Sequence, residues 1–420
     1  MDIIKIISDL QGCGCGRVHD VPDMRVEIGA GLLARVGELL MDFPRDLLVV
    51  ADEHTLAASA GILDVLQGSG FSCEVKCYKD MRTADAREVA EVRALAAERG
   101  GVLSVGSGSL NDICRLASFE AGVPFAIFAT APSMDGFASN AAPITYNNFK
   151  RTVLCHAPTV IIGDTDVLAR APAHLKAAGF GDMIAKYVAV ADWRIAQLTV
   201  GEYYCEGVAA LTRAGLHKVM TLADRVQLEC PIAAAALMEG LVLTGLAMTL
   251  TNLTRPASGA EHVLSHFWEI KKLEAGKLSD FHGKKVGVAT LLIAQLYHET
   301  AAKTWQFHQD NTDWHAVLTA YGENFAADIR ALNNPPPTAR INPATLAAQW
   351  PQLCTILQEE LPAHEKLLAL MQRAGAATTT AEIDIDPPLT EAALQYHSYM
   401  RERINLSRLL PMMTPQAGGV

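Results

Sequence analysis

Residues 101–112 read GVLSVGSGSLND, and the parsing of this stretch decides the fold. A short apolar run ends on Gly106-Ser107-Gly108, and Ser109-Leu110-Asn111-Asp112 has the composition of a helix start. An apolar run that short, closed by glycine, predicts a buried strand whose carboxyl end turns directly into a helix. Backbone amides in such a turn can hold a pyrophosphate at the helix N-terminus. The pattern lacks both the third glycine of a dinucleotide fingerprint and the Lys-Ser/Thr of a P-loop, so a plain tight turn fits the same residues.

Working outward, the same unit repeats. DLLVVADEH (46–54) is a continuous apolar strand, TLAASAGILDVLQGSG (55–70) a helix closed by glycine, and SCEVKCYKD (72–80) an alternating strand. ADAREVAEVRALAAERGG (84–101) predicts an amphipathic helix ending at Gly100 and Gly101. Beyond the glycine turn, SLNDICRLASFEAG (109–122) reads as helix and PFAIFATAP (124–132) as strand. ITYNNFKRTVLCHAP (144–158) reads as a hairpin and TVIIGD (159–164) as a last strand. This βαβα order predicts a Rossmann-like parallel sheet covered by helices, with ligands at the carboxyl ends of the strands. Asp52 stands at such an end, where an acid accepts from ribose hydroxyls and repels a 2′-phosphate, favouring NAD over NADP. The loop TAPSMDGFASN (130–140) follows another buried strand and gathers Thr130, Ser133, Asp135, Ser139 and Asn140. Taken alone it is a polar turn, although loops at strand ends carry function disproportionately.

After about Asp166 the sequence becomes long Ala/Leu-rich helical periods with few β-branched runs. The expected architecture is therefore an α/β domain over 1–165 followed by an all-α domain over 166–420, broken by turn compositions at 333–343 and 375–388. PIAAAALMEGLVLTGLAMTLTNL (231–253) is nearly long enough to span a bilayer, at roughly 20 residues. It carries Glu239 and no flanking basic cluster, and reads as a buried central helix with no membrane insertion. The 420 residues are half apolar, which suffices for large cores, and the net charge of −11 argues against nucleic acid as a partner. The start, MDIIKIISDLQGCGCG, lacks the basic leader and long apolar run of a signal peptide, so a cytoplasmic location is expected. Nine scattered cysteines form no disulfide framework. The pairs Cys13/Cys15 and Cys73/Cys77 lack a second CxxC or a nearby His pair, and read as buried apolar thiols.

SGAEHVLSHFWEI (258–270) places His262 and His266 four apart on a predicted helix, and LSDFHGKKVGVAT (278–290) adds His282 before another apolar helix. One histidine in an apolar segment is usually a satisfied core residue. Three within 21 residues near helix ends point instead to a metal or proton-transfer site. AAGFGDMIAKYVAVADW (177–193) offers Asp182 after a Gly-x-Gly turn at the start of a long helix; the same acid could serve the helix dipole alone.

As a set, VGSGSLND, TAPSMDGFAS, GFGDMIAK, SGAEHVLSHFWE and FHGKKVGVAT resemble the iron-containing alcohol dehydrogenase and dehydroquinate synthase-like superfamily, and within it the sn-glycerol-1-phosphate dehydrogenase family. The resemblance runs from about residue 25 to past 300 and is less distinctive over the last hundred. It implies a dehydroquinate synthase-like fold, NAD or NADP as cofactor, and one divalent metal ion: zinc, nickel or iron. By the same resemblance Gly106, Ser107, Gly108, Ser109 and Leu110 cover the pyrophosphate, with Asp52 on the adenosine side, and Thr130, Ala131, Pro132, Ser133 and Ser139 complete the nicotinamide half. Asp182, His262 and His282 take the metal-ligand positions; Asp135 and His266 take substrate-contacting, catalytic positions, and Asp182 borders the substrate as well. The implied reaction interconverts dihydroxyacetone phosphate and sn-glycerol 1-phosphate, in a homodimer or larger homo-oligomer. A polyol dehydrogenase, a 3-dehydroquinate synthase-like lyase and a non-catalytic nucleotide-binding protein are the rival readings. For a substrate phosphate, Lys150, Arg151, Lys284 and Lys285 are available cations, each read as solvated surface.

Overall fold

A computed structural model describes residues 3–20, 23–146 and 149–416. Its first half is organised by a parallel sheet of β1 (Arg25–Gly29), β2 (Asp46–Asp52), β3 (Ser72–Tyr78), β4 (Gly101–Gly106), β5 (Phe125–Ala129) and β8 (Val160–Asp164), in the order β1-β8-β5-β4-β2-β3. Between β5 and β8 the chain forms an antiparallel hairpin of β6 (Ala141–Tyr146) and β7 (Phe149–Leu154), whose predicted tip at 147–148 lies outside the described residues. β4 and β5 are buried along their whole length, as continuous apolar runs covered on both faces must be.

The strand order reverses between β2 and β4, which pair from Leu47 and Gly101 to Val50 and Ser104. A crevice opens at such a reversal, beyond the carboxyl ends of the strands. Asp52 ends β2 and Gly106 ends β4, so both candidate cofactor positions border it.

Two local expectations change. The helix expected over 55–70 is two shorter ones, Glu53–Ala58 and Ile62–Gly68, divided at Gly61 with φ +90. β1 was not anticipated; it pairs with β8 from Arg25 opposite Val160 to Gly29 opposite Asp164.

From Thr165 onward the structure is helical, with one departure: β9 (Trp305–Phe307) and β10 (Met413–Pro415) form a two-stranded antiparallel ribbon. The breaks at 333–343 and 375–388 separate helices, Glu323–Leu332 from Pro343–Glu360 and His364–Arg373 from Pro387–Tyr396. Pro231–Thr251 is the one helix among the described residues long and apolar enough to cross a membrane, and 78% of its apolar window is buried in the molecule.

Asp182 does not follow a turn. Gly179 and Gly181 lie inside the Ala173–Ile184 helix, which puts Asp182 in its last turn. Close packing explains glycine there: a Cβ on Gly179 would stand 1.9 Å from the Pro132 carbonyl oxygen, and one on Gly181 would stand 2.4 Å from that of Gly283. Gly283, on the His282–Ala301 helix, returns the contact, its Cβ position being 2.1 Å from the Ala178 carbonyl oxygen. The two helices meet backbone to backbone.

The cysteine reading also changes. Cys13 and Cys77 are exposed, and Cys13 and Cys15 lie beside the buried Cys205, far away in sequence. This N-terminal segment packs on the helical half: His19 hydrogen-bonds Leu250 and Arg17 hydrogen-bonds Thr251.

Candidate active site

A cleft of about 510 Å³ runs between the carboxyl ends of the sheet and the ends of the helices. Ser107, Gly108, Ser109 and Leu110 line one wall, with Thr130, Ala131, Ser133, Asp135 and Ser139 beside them and Asp52 further along. Gly108 adopts φ +51, a left-handed value that glycine takes without strain, and it is the N-cap of the Ser109–Ala121 helix. Having no side chain, it leaves the first amides of that helix uncapped and available to an anion. The Ser107 and Ser133 hydroxyls are 2.7 Å apart and tie the two loops together. Gly106 and Pro132 stand behind the lining: a Cβ on Gly106 would meet Leu110 Cδ1 at 2.5 Å, and the Pro132 carbonyl meets Gly179. Asp52 accepts from the Thr55 amide at 2.8 Å and the Met81 amide at 3.3 Å, so its carboxylate also caps a helix. Ser139 Oγ accepts from the Ala141 amide at 3.0 Å.

His262 and His282 also line the cleft; with Asp182, fully buried behind them and accepting from the Asp135 amide at 3.0 Å, they bring one potential ligand atom each to within 4.8 Å of one another. His262 Nε2 is 3.4 Å from Asp182 Oδ1, while its Nδ1 meets Glu261 Oε1 at 2.6 Å. A carboxylate behind a histidine in this way fixes the ring and its tautomer for metal binding. His282 Nδ1 is buried with no hydrogen-bond partner. Two imidazoles and a carboxylate, one ring nitrogen unsatisfied and one ring braced from behind, form a donor set suited to a divalent metal with positions left for a substrate oxygen. Burial holds His282 down to about 3, so it is neutral and able to ligate. Burial opposes the charge on His262 too, but its bonds to Asp182 and Glu261 prevail and raise it to about 9.

His266 lies one turn beyond His262, its ring centroid 6.3 Å from that of His262 and 5.8 Å from that of His282. Burial and the nearby Lys150 and Arg401 cations keep it well below its ordinary value, and its buried Nδ1 has no partner.

Several site groups escaped the sequence reading. Lys186, fully buried, donates to Asp135 Oδ2 at 2.5 Å, Asp182 Oδ1 at 3.0 Å and the Ala257 carbonyl at 3.0 Å. Its spacing of one helical turn from Asp182 was a usable signal. Lys150 and Lys285 are not solvated surface: both line the cleft and pair with Glu269, at 3.0 and 3.3 Å. Arg151 and Lys284 pair with Asp328 and Asp280 instead. Arg401 and Arg403, from a stretch without any neighbouring motif, also line the cleft. Arg403 donates to Thr254 Oγ1 at 2.5 Å and to the Ser258 carbonyl at 3.5 Å, and burial pulls it down to about 9. Neither arginine forms an ion pair with a carboxylate among the described residues.

A sequence model of the iron-containing alcohol dehydrogenases matches residues 27–172. The chain is 31% identical to the glycerol-1-phosphate dehydrogenase (NAD(P)+) of Geobacillus stearothermophilus, over 93% of each chain. It is 32% identical to the enzyme of that name from Bacillus licheniformis, over 100% of this chain and 98% of the other. Among solved structures, the iron-containing alcohol dehydrogenase of Corynebacterium glutamicum shares the fold, with a TM-score of 0.60 at 14% identity over 93% of this chain and 95% of that one. With its parallel sheet, its cleft and its Asp-His-His cluster, the chain belongs to the glycerol-1-phosphate dehydrogenase family of iron-containing alcohol dehydrogenases.

Proposed function

We propose that this protein interconverts dihydroxyacetone phosphate and sn-glycerol 1-phosphate with NAD(H) or NADP(H), residues 1–165 holding the dinucleotide and 166–420 the metal and substrate. The observation that carries the reading is that His262 and His282, with Asp182 buried beside them, share one cleft with the Gly108 turn and with two arginines that no carboxylate among the described residues pairs. The relatives' name supplies the substrate.

The Gly106–Leu110 turn and the 130–135 loop would seat the dinucleotide, the first helical amides meeting its pyrophosphate. Asp182, His262 and His282 would hold a divalent metal, which would supply Lewis-acid polarisation of the substrate's carbonyl or hydroxyl oxygen. Lys186 is the positioning residue: by binding Asp135 and Asp182 together it fixes the acid that meets the substrate relative to the acid that meets the metal. His266 would take the hydroxyl proton in the oxidative direction and return it in reduction, and a nicotinamide seated by the 130–135 loop would supply the hydride acceptor or donor. A neutral His266 with an unpartnered ring nitrogen suits that role. Arg401 and Arg403 would hold the phosphate, because neither has a carboxylate partner among the described residues, whereas Lys150 and Lys285 share Glu269. The reading includes a cytoplasmic homo-oligomer; the nine free thiols support a reducing location.

The test is NADH oxidation by metal-loaded protein with dihydroxyacetone phosphate against dihydroxyacetone, repeated with His262→Ala. Preference for the phosphate ester, abolished by the substitution, supports the proposal. Preference for the free ketone makes the protein a polyol dehydrogenase on the same fold.

A further inference from the structure

A second cluster of ligand-type atoms lies at the N-terminus, and the dehydrogenase chemistry does not use it. Cys13 Sγ is 3.1 Å from Cys15 Sγ and 3.8 Å from Cys205 Sγ, while His19 Nε2 is 3.2 Å from Cys13, 3.2 Å from Cys15 and 3.3 Å from Cys205. All four ligand atoms lie within 4.8 Å of one another. With Zn–S near 2.3 Å and Zn–N near 2.0–2.1 Å, the edges of a tetrahedron are about 3.5–3.8 Å, so these four atoms already stand close to the corners of one.

The surroundings are arranged for ligation. His19 Nδ1 donates to the Leu250 carbonyl at 3.1 Å; a carbonyl only accepts, so Nδ1 carries the proton and Nε2 offers its lone pair to the centre of the cluster. Gly12, Gly14 and Gly16 alternate with the cysteines at φ +80, +71 and +78, a left-handed winding that carries Cys13 and Cys15 to the same side. Tyr203 Oη lies 3.4 Å from Cys15 Sγ, and the Arg17 guanidinium sits 3.7 Å above the Tyr203 ring, bringing positive charge to a set of three thiolates.

We propose that Cys13, Cys15, His19 and Cys205 bind a structural zinc ion that clamps the N-terminal segment to the helical half of the protein. Four protein ligands fill a tetrahedron and leave no position for substrate, which sets this site apart from a catalytic one. Soft thiolates select zinc over the harder cations that an Asp-His-His set accepts. The ligands come from a loop and, 192 positions away, from the residue preceding the Glu206–Met220 helix, so the metal closes a long loop of chain.

The experiment is metal analysis of the purified full-length protein, wild type and variants, with cobalt(II) substitution read by absorption. Wild type should bind two metal ions per chain, one for each cluster. Cys13→Ser with Cys15→Ser should bind one and lose the thiolate-to-cobalt charge-transfer band, whereas Asp182→Ala should also bind one but keep that band. His19→Cys, which restores a four-ligand set, should retain zinc where His19→Ala does not; this pair separates ligation from a packing role and guards against simple misfolding. One metal per chain in the wild type with no thiolate band, or a Cys13–Cys15 disulfide found by mass spectrometry of the native protein, would overturn the proposal.

Discussion

The Asp182, His262 and His282 cluster and the Cys13, Cys15, His19 and Cys205 cluster are built from opposite materials. In the first, each ligand sits on a helix, and two of the helices touch backbone to backbone through Gly181 and Gly283. In the second, all four ligands sit outside regular helices and strands, and left-handed glycines flank two of them, Cys13 and Cys15. The helical set has three donors and opens on a cleft; the loop set has four donors and encloses its centre. Donor count decides what each can do, since a vacant coordination position is what lets a metal meet a substrate. Rigidity follows the same division. A reacting centre must be held to a fraction of an ångström by its scaffold, whereas a structural metal imposes its own geometry on a loop.

The contrast breaks most visibly at Asp182. Asp182→Ala should lower kcat/KM by about 10³-fold or more, the several kcal/mol that Lewis-acid polarisation contributes, while metal bound to the thiolates stays in place. Steady-state kinetics with metal analysis on one preparation checks both halves; loss of both metals together would show that the clusters are not independent.

A smaller effect tests the two arginines of the cleft. Replacing Arg401 and Arg403 by Met should raise KM for the phosphorylated substrate by about 10²-fold, as expected for charge-assisted bonds of about 1.5–3 kcal/mol. KM for dihydroxyacetone should hardly move. An equal rise for both substrates would mean that the arginines shape the cleft and do not bind phosphate.

Gly283→Ala sharpens the claim that backbone contact sets the helical cluster. Forcing a methyl group to within 2.1 Å of the Ala178 carbonyl should cost about 1–3 kcal/mol of stability and weaken metal binding at Asp182 and His282. Thermal unfolding and competitive metal titration read the two effects, and a fully active, fully metallated variant would refute the claim.

Acid strips metal from either cluster, so the comparison also needs the acid response of the metal-free chain. Burial holds His397 down to about 4, against an ordinary value near 6.5. A ring kept neutral by folding stabilises fully above the unfolded value, and that contribution is lost as pH falls from 6.5 towards 4. Urea unfolding of the metal-free protein should therefore show less stability at pH 6 than at pH 7 from this ring, by a fraction of the ~1.4 kcal/mol that one pH unit can carry, a loss that His397→Gln removes.

The sequence is most legible where local patterns repeat. β2 to β5 and their helices follow from apolar runs punctuated by glycine, and His262, His266 and His282 stand out because they lie within 21 residues. β1 was missed because five residues at the sheet edge, only one of them fully buried, carry no distinct alternation. The Glu53–Gly68 stretch splits because Gly61 takes φ +90, which composition does not reveal. β9 and β10 are three residues each and meet across more than a hundred positions. Gly179 and Gly181 looked like a turn because glycine marks turns and close helix packing alike, and only the neighbouring helix tells them apart. Cys205 joins Cys13, and Arg401 joins the cleft, through tertiary folding alone.

The backbone contact between the Ala173–Ile184 and His282–Ala301 helices also bears on how this protein can change over generations. At Gly179, Gly181 and Gly283 almost any mutation adds atoms where another residue's main chain already stands, and no rearrangement of neighbouring side chains can make room. Compensating mutations, the usual route by which lineages drift, are closed off there. Arg401 and Arg403, by contrast, lie in the last twenty residues and bring charged side chains to the cleft, where a change of side chain meets no such main-chain contact. With the phosphate bound there as proposed, a lineage could exchange the groups that hold it while inheriting the metal ligands unaltered, so new specificities on this scaffold should arise from the C-terminal segment first.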